Sequence, residues 1–282
     1  MINFLIDGLL LGFVYGIAAM GLTLIWGVMN VINLSHGAVI ALGMFGVYLL
    51  VSSLSLNPYL ALLVVAVLGL LFGFFIYFVA VKHVINAPHL SSLLATFSIN
   101  MIIIGWGTAV FGASPYNVDF TLGSITLGST VVPLTRLVAA FVSILTAGAL
   151  YLFLYRTRPG KYIRAVTDNR AAAEIVGVPS DLILGLSFGI GTMLAALSGA
   201  LIATFFPFTI LEGGKYEIKS FIIGVLGGLG NPIGALLGGL ILGVMEGIIP
   251  AFMETSWVPV VEFFLFVLIL LVRPRGILGT NK

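Results

Sequence analysis

From Pro58 to Val81 the chain carries no charged side chain and is rich in Leu, Val and Phe. An α-helix needs about 20 apolar residues to cross the hydrocarbon core of a bilayer. The pattern recurs over roughly 3–27, 37–55, 90–112, 136–155, 182–206 and 257–272. These runs are continuously apolar rather than alternating and are too long for barrel strands, so they read as helices. Composition closes off the soluble alternative. Only 8% of the 282 residues are charged, while 60% are hydrophobic; an ordinary soluble domain carries about 25% charged residues. The 12 basic and 10 acidic side chains cannot clothe a water-soluble fold of this size. The expected fold is an all-α polytopic membrane protein of about eight transmembrane helices, forming one domain over 1–282. Met1-Ile2-Asn3-Phe4 lacks a basic leader region, and Asp7 interrupts the apolar run, so the first span reads as retained rather than as a signal peptide.

Residues 219–249 differ from the other runs. Gly224, Gly227, Gly228 and Gly230 lead into Asn231-Pro232, a helix breaker. Two short helices are expected, about 220–228 and 233–249, meeting at a turn in or near the membrane. The backbone around Gly27–Gly37 is also expected to be discontinuous. Irregular backbone at membrane depth survives only where protein or water satisfies it.

Lys and Arg set the orientation. With Arg156, Arg158, Lys161, Arg164 and Arg170 on the cytoplasmic side, alternation places Lys82, Arg273, Arg275 and Lys282 there too. Arg136, Lys215 and Lys219 remain outside. The asymmetry favours an outer N-terminus and an inner C-terminus, and it makes 219–249 enter and leave on the outer side. Small residues at i, i+4 recur as Gly8-Gly12-Gly16, Gly239-Gly243-Gly247 and Gly185-Gly189. They fit close helix packing within one bundle, with a subunit interface as the sharper alternative.

Several chemistries are absent from the sequence. A net charge of +2 gives no field to draw nucleic acid. There is no Cys, hence no disulfide or thiolate metal site, and His36, His83 and His89 are too scattered for a zinc cluster. No His-Glu-x-x-His or paired-carboxylate motif occurs, which ranks a membrane enzyme low. Gly160-Lys161 and Gly214-Lys215 lack the upstream Gly and the following Ser or Thr of a phosphate-binding loop. The chain therefore has no ATP site and no cofactor of its own.

Polar residues at membrane depth mark candidate passages, because hydrocarbon penalises them. Asn30, Asn33, Ser35 and His36 follow the first span; Thr96, Ser98 and Asn100 lie in the fourth; Asn231 sits at the breaker. For Thr96 and Ser98 the bland alternative is bonding to their own helix backbone. For Asn33, Ser35 and His36 a structural role at the discontinuity is preferred to substrate contact. Glu246 and Glu262 are the carboxylates expected within the hydrocarbon zone. Each must face protein or water or be protonated, and interfacial placement is the simpler reading.

The one long polar segment is 156–181. Asp168 or Asn169 can cap a short helix from Arg170, Ala171-Ala172-Ala173 favours it, and Gly177 and Pro179 end it. On geometry alone this is either a short amphipathic helix outside the membrane or a loop that merely orients the chain. Its pattern, Ala171-Ala172-Ala173-x-x-x-Gly177, resembles the Glu-Ala-Ala…Gly coupling loop of ABC-transporter permeases, with Ala171 in place of Glu. That replacement is usual in the branch serving branched-chain amino acids and sugars. Further stretches are similar to that branch. They are Gly27-Val-Met-Asn-Val-Ile-Asn-Leu-Ser-His36-Gly37, Thr157-x-x-Gly160-x-x-x-Arg164-Ala-Val166, the glycine-rich run Phe221 to Glu246, and Arg273-Pro274-Arg275-Gly276-Ile-Leu-Gly279.

The resemblance implies a permease subunit in a bacterial or archaeal cytoplasmic membrane. Its partners would be a second homologous permease, often a different chain, two cytoplasmic ATPase subunits that use ATP and Mg, an extracytoplasmic solute-binding protein, and membrane lipid. Arg164, Arg170, Ala171, Ala172, Ala173, Glu174, Ile175 and Gly177 would form the ATPase-coupling element. Ile175, Val176 and Val178 would supply apolar contacts, and Arg164 and Arg170 would pair with acidic groups on the ATPase. Branched-chain amino acids are the implied substrate. The alternative is a self-sufficient secondary transporter or channel for a small polar solute such as urea or an amide; few acidic residues at membrane depth speak against it.

Overall fold

The computed structural model describes residues 2–127, 130–273 and 276–279. Pro274, Arg275 and Lys282, which entered the ending motif and the charge bias, lie outside the described residues. Among those described, eight helices are long and apolar enough to cross a membrane. They begin with α1 (Ile2–Met29), α2 (His36–Leu54) and α3 (Pro58–Ile76), the last continuing through a π-helical turn, Tyr77–Val81, into α4 (Lys82–Val84). Then come α5 (His89–Phe111), a hairpin of β1 (Ser124–Leu127) and β2 (Thr130–Pro133), and α6 (Leu134–Arg156). The polar segment holds α7 (Arg158–Asp168) and α8 (Arg170–Ile175). The chain closes with α9 (Ser180–Ala203), α10 (Gly213–Gly227), α11 (Pro232–Ile248) and α12 (Val258–Val272).

Local chemistry accounts for the boundaries. Asn57 caps α3, its side chain accepting from the Tyr59 N–H, with Pro58 at the first helical position. Asn231 does the same for α11, accepting from Ile233 and Gly234 ahead of Pro232. In both places Asn-Pro supplies a cap oxygen and a residue that has no N–H to satisfy. The breaker itself turns through Gly228 and Gly230, both at positive φ (105° and 85°), where a side chain would be strained. The hairpin pairs β1 and β2 antiparallel, Ser124 opposite Pro133. Neither it nor the helical character of 158–168 was foreseen from the sequence.

At the centre of the bundle, α1 and α9 are almost wholly buried, while α5 and α12 are the least buried spans. The glycine stripes lie inside the chain, which overturns the subunit-interface alternative. Gly8, Gly12 and Gly16 face Gly247, Gly243 and Gly239 in antiparallel order. A methyl group on Gly12 would come within 2.8 Å of the Gly239 carbonyl oxygen. Gly185 and Gly189 receive α3 around Leu70, Phe74 and Tyr77. Without a hydrophobic reward for helix association in lipid, this contact between backbones supplies the attraction through dispersion.

The two ends of the bundle are distinct. At one end the β-hairpin lies beside the start of α1, where Arg136 pairs with Asp7 at 2.9 Å. At the other lie α7, α8, the breaker and the final residues. Ile277 and Leu278 donate backbone hydrogen bonds to Leu226 and Gly227 (2.8 and 3.2 Å), and Asn231 Nδ2 donates to the Leu278 carbonyl at 3.1 Å. The start of α1 and residues 276–279 therefore stand at opposite ends. The segment 219–249 is a hairpin whose limbs both point to the β-hairpin end. Its first limb is longer than expected: α10 starts at Gly213, against Gly37 and Ala41, and at 15 residues it spans only about 22 Å.

Candidate functional site

The irregular stretch after α1 is bridged by several side chains, while Asn33 Nδ2 and His36 Nδ1 are buried without a hydrogen-bond partner. α1 ends at Met29, Asn30 adopts a left-handed conformation (φ 51°), and the backbone runs irregularly to His36. Thr96 on α5 bridges the gap. Its hydroxyl donates to the Ile32 carbonyl (3.1 Å) and accepts from the Leu34 N–H (3.2 Å), besides meeting its own helix at Ser92. Asn33 Oδ1 accepts from both the backbone N–H (3.1 Å) and the hydroxyl (2.6 Å) of Ser35. His36 is fully buried, and Nε2 lies 3.0 Å from the Ala18 carbonyl, halfway along α1. That contact makes Nε2 the protonated nitrogen, since a carbonyl only accepts. The first turn of α2 also holds a carboxylate: Glu217 Oε2 accepts from the Gly37 N–H at 3.3 Å, where the positive end of the helix favours an anion.

The remaining passage candidates are not gathered here. Ser98 is exposed and donates to the Leu94 carbonyl at 2.8 Å. Asn100 is half-buried on α5. Asn30 and Asn231 line a separate cavity of about 590 Å³ at the opposite end from the β-hairpin, together with Arg164 and Thr167.

Lys219, one of the charges placed on the outer side, is mostly buried and joins four helices. Nζ lies 2.5 Å from Glu246 Oε2 and 3.5 Å from Glu262 Oε1, and 4.8 Å over the ring of Tyr15. Tyr15 in turn donates to Glu246 Oε1 at 3.4 Å. Glu246 and Glu262 are thus neighbours sharing one cation. Glu262 is the less well served, because Oε1 accepts no hydrogen bond.

At the far end, Asn169 caps α8 by accepting from the Ala172 N–H (3.0 Å), and Gly177 terminates it at φ 86°. Both arginines also have partners within the chain. Arg170 is paired within the chain, Nε to Glu174 Oε1 at 2.9 Å and Nη2 to Asp181 Oδ1 at 3.4 Å, while Lys82 joins Asp181 at 2.8 Å. The hydrogen bond from Arg170 holds the Glu174 carboxyl below the usual range. Arg164 donates Nε to the Leu154 carbonyl (3.2 Å) and stacks 4.6 Å over Tyr155. Val178 departs from the expected apolar contact set: it is buried, as is Ala173, whose carbonyl receives the Val178 N–H at 3.0 Å. Ala171, Ala172 and Gly177 are exposed. Ile175 and Val176 stand out, 86% and 78% exposed, as a bare apolar tip on a helix that is otherwise clamped to the bundle.

Residues 4–272 match the family described as branched-chain amino acid transport system / permease component. The chain belongs to that family. The permease is 30% identical to the high-affinity branched-chain amino acid transport system permease protein LivH of Salmonella typhimurium, over 97% of this chain and 94% of that one. It is 29% identical to the corresponding protein BraD of Pseudomonas aeruginosa, over 98% and 94%. Among solved structures it is similar to PsaBC from Streptococcus pneumoniae in complex with Fab, with a TM-score of 0.52 and 13% identity over 97% of this chain and 93% of that chain. That last likeness shows a shared fold. The permease is accordingly a multi-pass membrane protein and a transport subunit.

Proposed function

We propose that this permease is the membrane subunit of an ATP-driven importer that moves branched-chain amino acids across the cytoplasmic membrane of a bacterium or archaeon. A second permease completes the conduit, two ATPase subunits consuming ATP and Mg drive it, and an extracytoplasmic binding protein delivers substrate. The observation that carries the reading is the exposed Ile175-Val176 tip. Two large apolar side chains at the end of a six-residue helix are bare among the described residues, and burial in a partner groove recovers about 1.5–3 kcal/mol for each. The helix is braced through Arg170, Asp181 and Lys82 to the ends of α9 and α4, so a push on the tip reaches two spans directly. Alternating access follows if that push reorients α3–α4 and α9 together.

The test is uptake into proteoliposomes holding both permeases and the ATPase, with binding protein outside and ATP inside. Leucine, isoleucine and valine should accumulate only with nucleotide. Uptake by the permease alone, driven by an ion gradient and indifferent to ATP, would sink the reading.

A further inference from the structure

The loop between α5 and β1 is strapped down at both ends. Tyr116 exchanges backbone hydrogen bonds with Phe208, just past α9 (2.8 and 2.9 Å), and the Gly123 carbonyl accepts from the Leu134 N–H at the start of α6 (3.1 Å). Between these ties Val118 turns inward and is 4% exposed. The strap, the first turn of α6 and the end of α9 wall a cavity of about 580 Å³, a size suited to a small molecule. It opens at the β-hairpin end, where Asn117, Asp119 and Thr121 on the strap are exposed.

Both signs of charge line this cavity. Asp119 has no cation beside it among the described residues; its contact is the Asn117 amide, Nδ2 donating to Oδ1 at 3.4 Å. On the α6 wall stands Arg136, its side chain 21% exposed and its Nη1 2.9 Å from Asp7. A guanidinium has five N–H donors, and Asp7 leaves most of them free to meet a second anion. Next to it Thr135 is 7% exposed, and its hydroxyl makes no hydrogen bond among the described residues. A hydroxyl so far removed from water is costly without a partner. Phe120, Pro133 and Phe205 supply apolar surface.

We infer that this cavity receives the transported amino acid at the outer face, before it enters the bundle. The α-ammonium meets Asp119, the α-carboxylate accepts from Arg136 and Thr135, and the aliphatic side chain lies against Phe120 and Phe205. An uncharged solute would leave Asp119 unpaired, and a metal ion would make no use of Arg136. The inference rests on the transport reading above and adds the place where the permease takes over its substrate. A phosphatidylethanolamine headgroup also joins an ammonium to an anion, so the test separates the two sources.

Because the chain has no Cys, Thr121→Cys on the rim reports occupancy by its rate of reaction with a membrane-impermeant maleimide. The complex is reconstituted in phosphatidylglycerol vesicles, which offer no ammonium. Excess L-leucine should slow the reaction at least tenfold. Neither 4-methyl-2-oxopentanoate, which lacks the ammonium, nor 3-methylbutylamine, which lacks the carboxylate, should do so. Asp119→Asn should abolish the protection while the rate without leucine is unchanged, and Asp119→Glu should restore part of it. Thr126→Cys on β1, outside the cavity, should react at one rate throughout. The comparison of leucine with its two analogues needs only the Thr121→Cys chain. No protection by leucine, equal protection by the amine, or protection only by phosphatidylethanolamine or by leucine-free binding protein would overturn the inference. If ATP-driven leucine uptake occurs without protection, the cavity fails and the transport reading stands. Protection by leucine without nucleotide-dependent uptake has the opposite meaning.

Discussion

Lys219 illustrates how one residue can organise several helices. It draws Glu246 from α11, Glu262 from α12 and the ring of Tyr15 from α1 onto α10. Removing the cation leaves two carboxylates facing each other without compensation, a loss of about 3–5 kcal/mol for a buried pair. Lys219→Met should therefore lower the unfolding temperature in detergent markedly. Glu246→Gln should cost more than Glu262→Gln, because the 2.5 Å contact is made to Glu246 and Glu262 accepts no hydrogen bond at Oε1. Equal effects from the two Gln variants, read by thermal unfolding, would show that the geometry does not set the energetics. Both carboxylates stood out in the sequence, but Lys219 and Glu217 did not. The stretch Glu212-Gly-Gly-Lys-Tyr-Glu-Ile-Lys219 has the composition of a surface loop. It becomes helix only because Gly213 seats against Gly37, a long-range contact that no local pattern encodes.

Among the elements, α8 makes the sharpest separation between touching the permease and touching a partner. Ile175 and Val176 are bare, so Ile175→Glu with Val176→Glu should leave stability within about 0.5 kcal/mol yet abolish ATP-coupled uptake. Ala173→Glu should instead destabilise the permease itself, since its side chain is buried. Parallel melts and uptake assays distinguish these outcomes. The spans, the Asn-Pro breaker and α8 were legible to within a few residues, because each carries a local signature: an apolar run, a cap with Pro, or an Ala triplet between Asn169 and Gly177. α7 was not, although Thr157 caps it with Pro159 in its first turn. Its charges read as orienting loop, and only Gly160, Ile163 and Val166 turn inward. The π-helical turn at 77–81 and the β-hairpin had no strong composition signal at all. For the arginines, sequence supplied charge but not partner. Arg170 is spent on Glu174 and Asp181 within the chain, and side-chain reach across a fold cannot be read from spacing.

For the whole molecule, the side of the membrane on which each end lies follows from the basic residues. The chain has no Cys, and a single introduced thiol is therefore an unambiguous reporter. In intact cells a membrane-impermeant maleimide should label Thr126→Cys in the exposed β1 directly, and Val176→Cys only after permeabilisation. The reverse pattern would invert the topology. Where motion can occur is set by the seam between α1 and α11. Along it Gly8, Gly12 and Gly16 meet Gly239, Gly243 and Gly247 with no side chain between them. Parting the two helices would open a slot that neither can refill and that lipid tails are too thick to wet cheaply. Whatever the transport cycle displaces, these two helices must travel as one piece, with the shifting done by the spans that surround them.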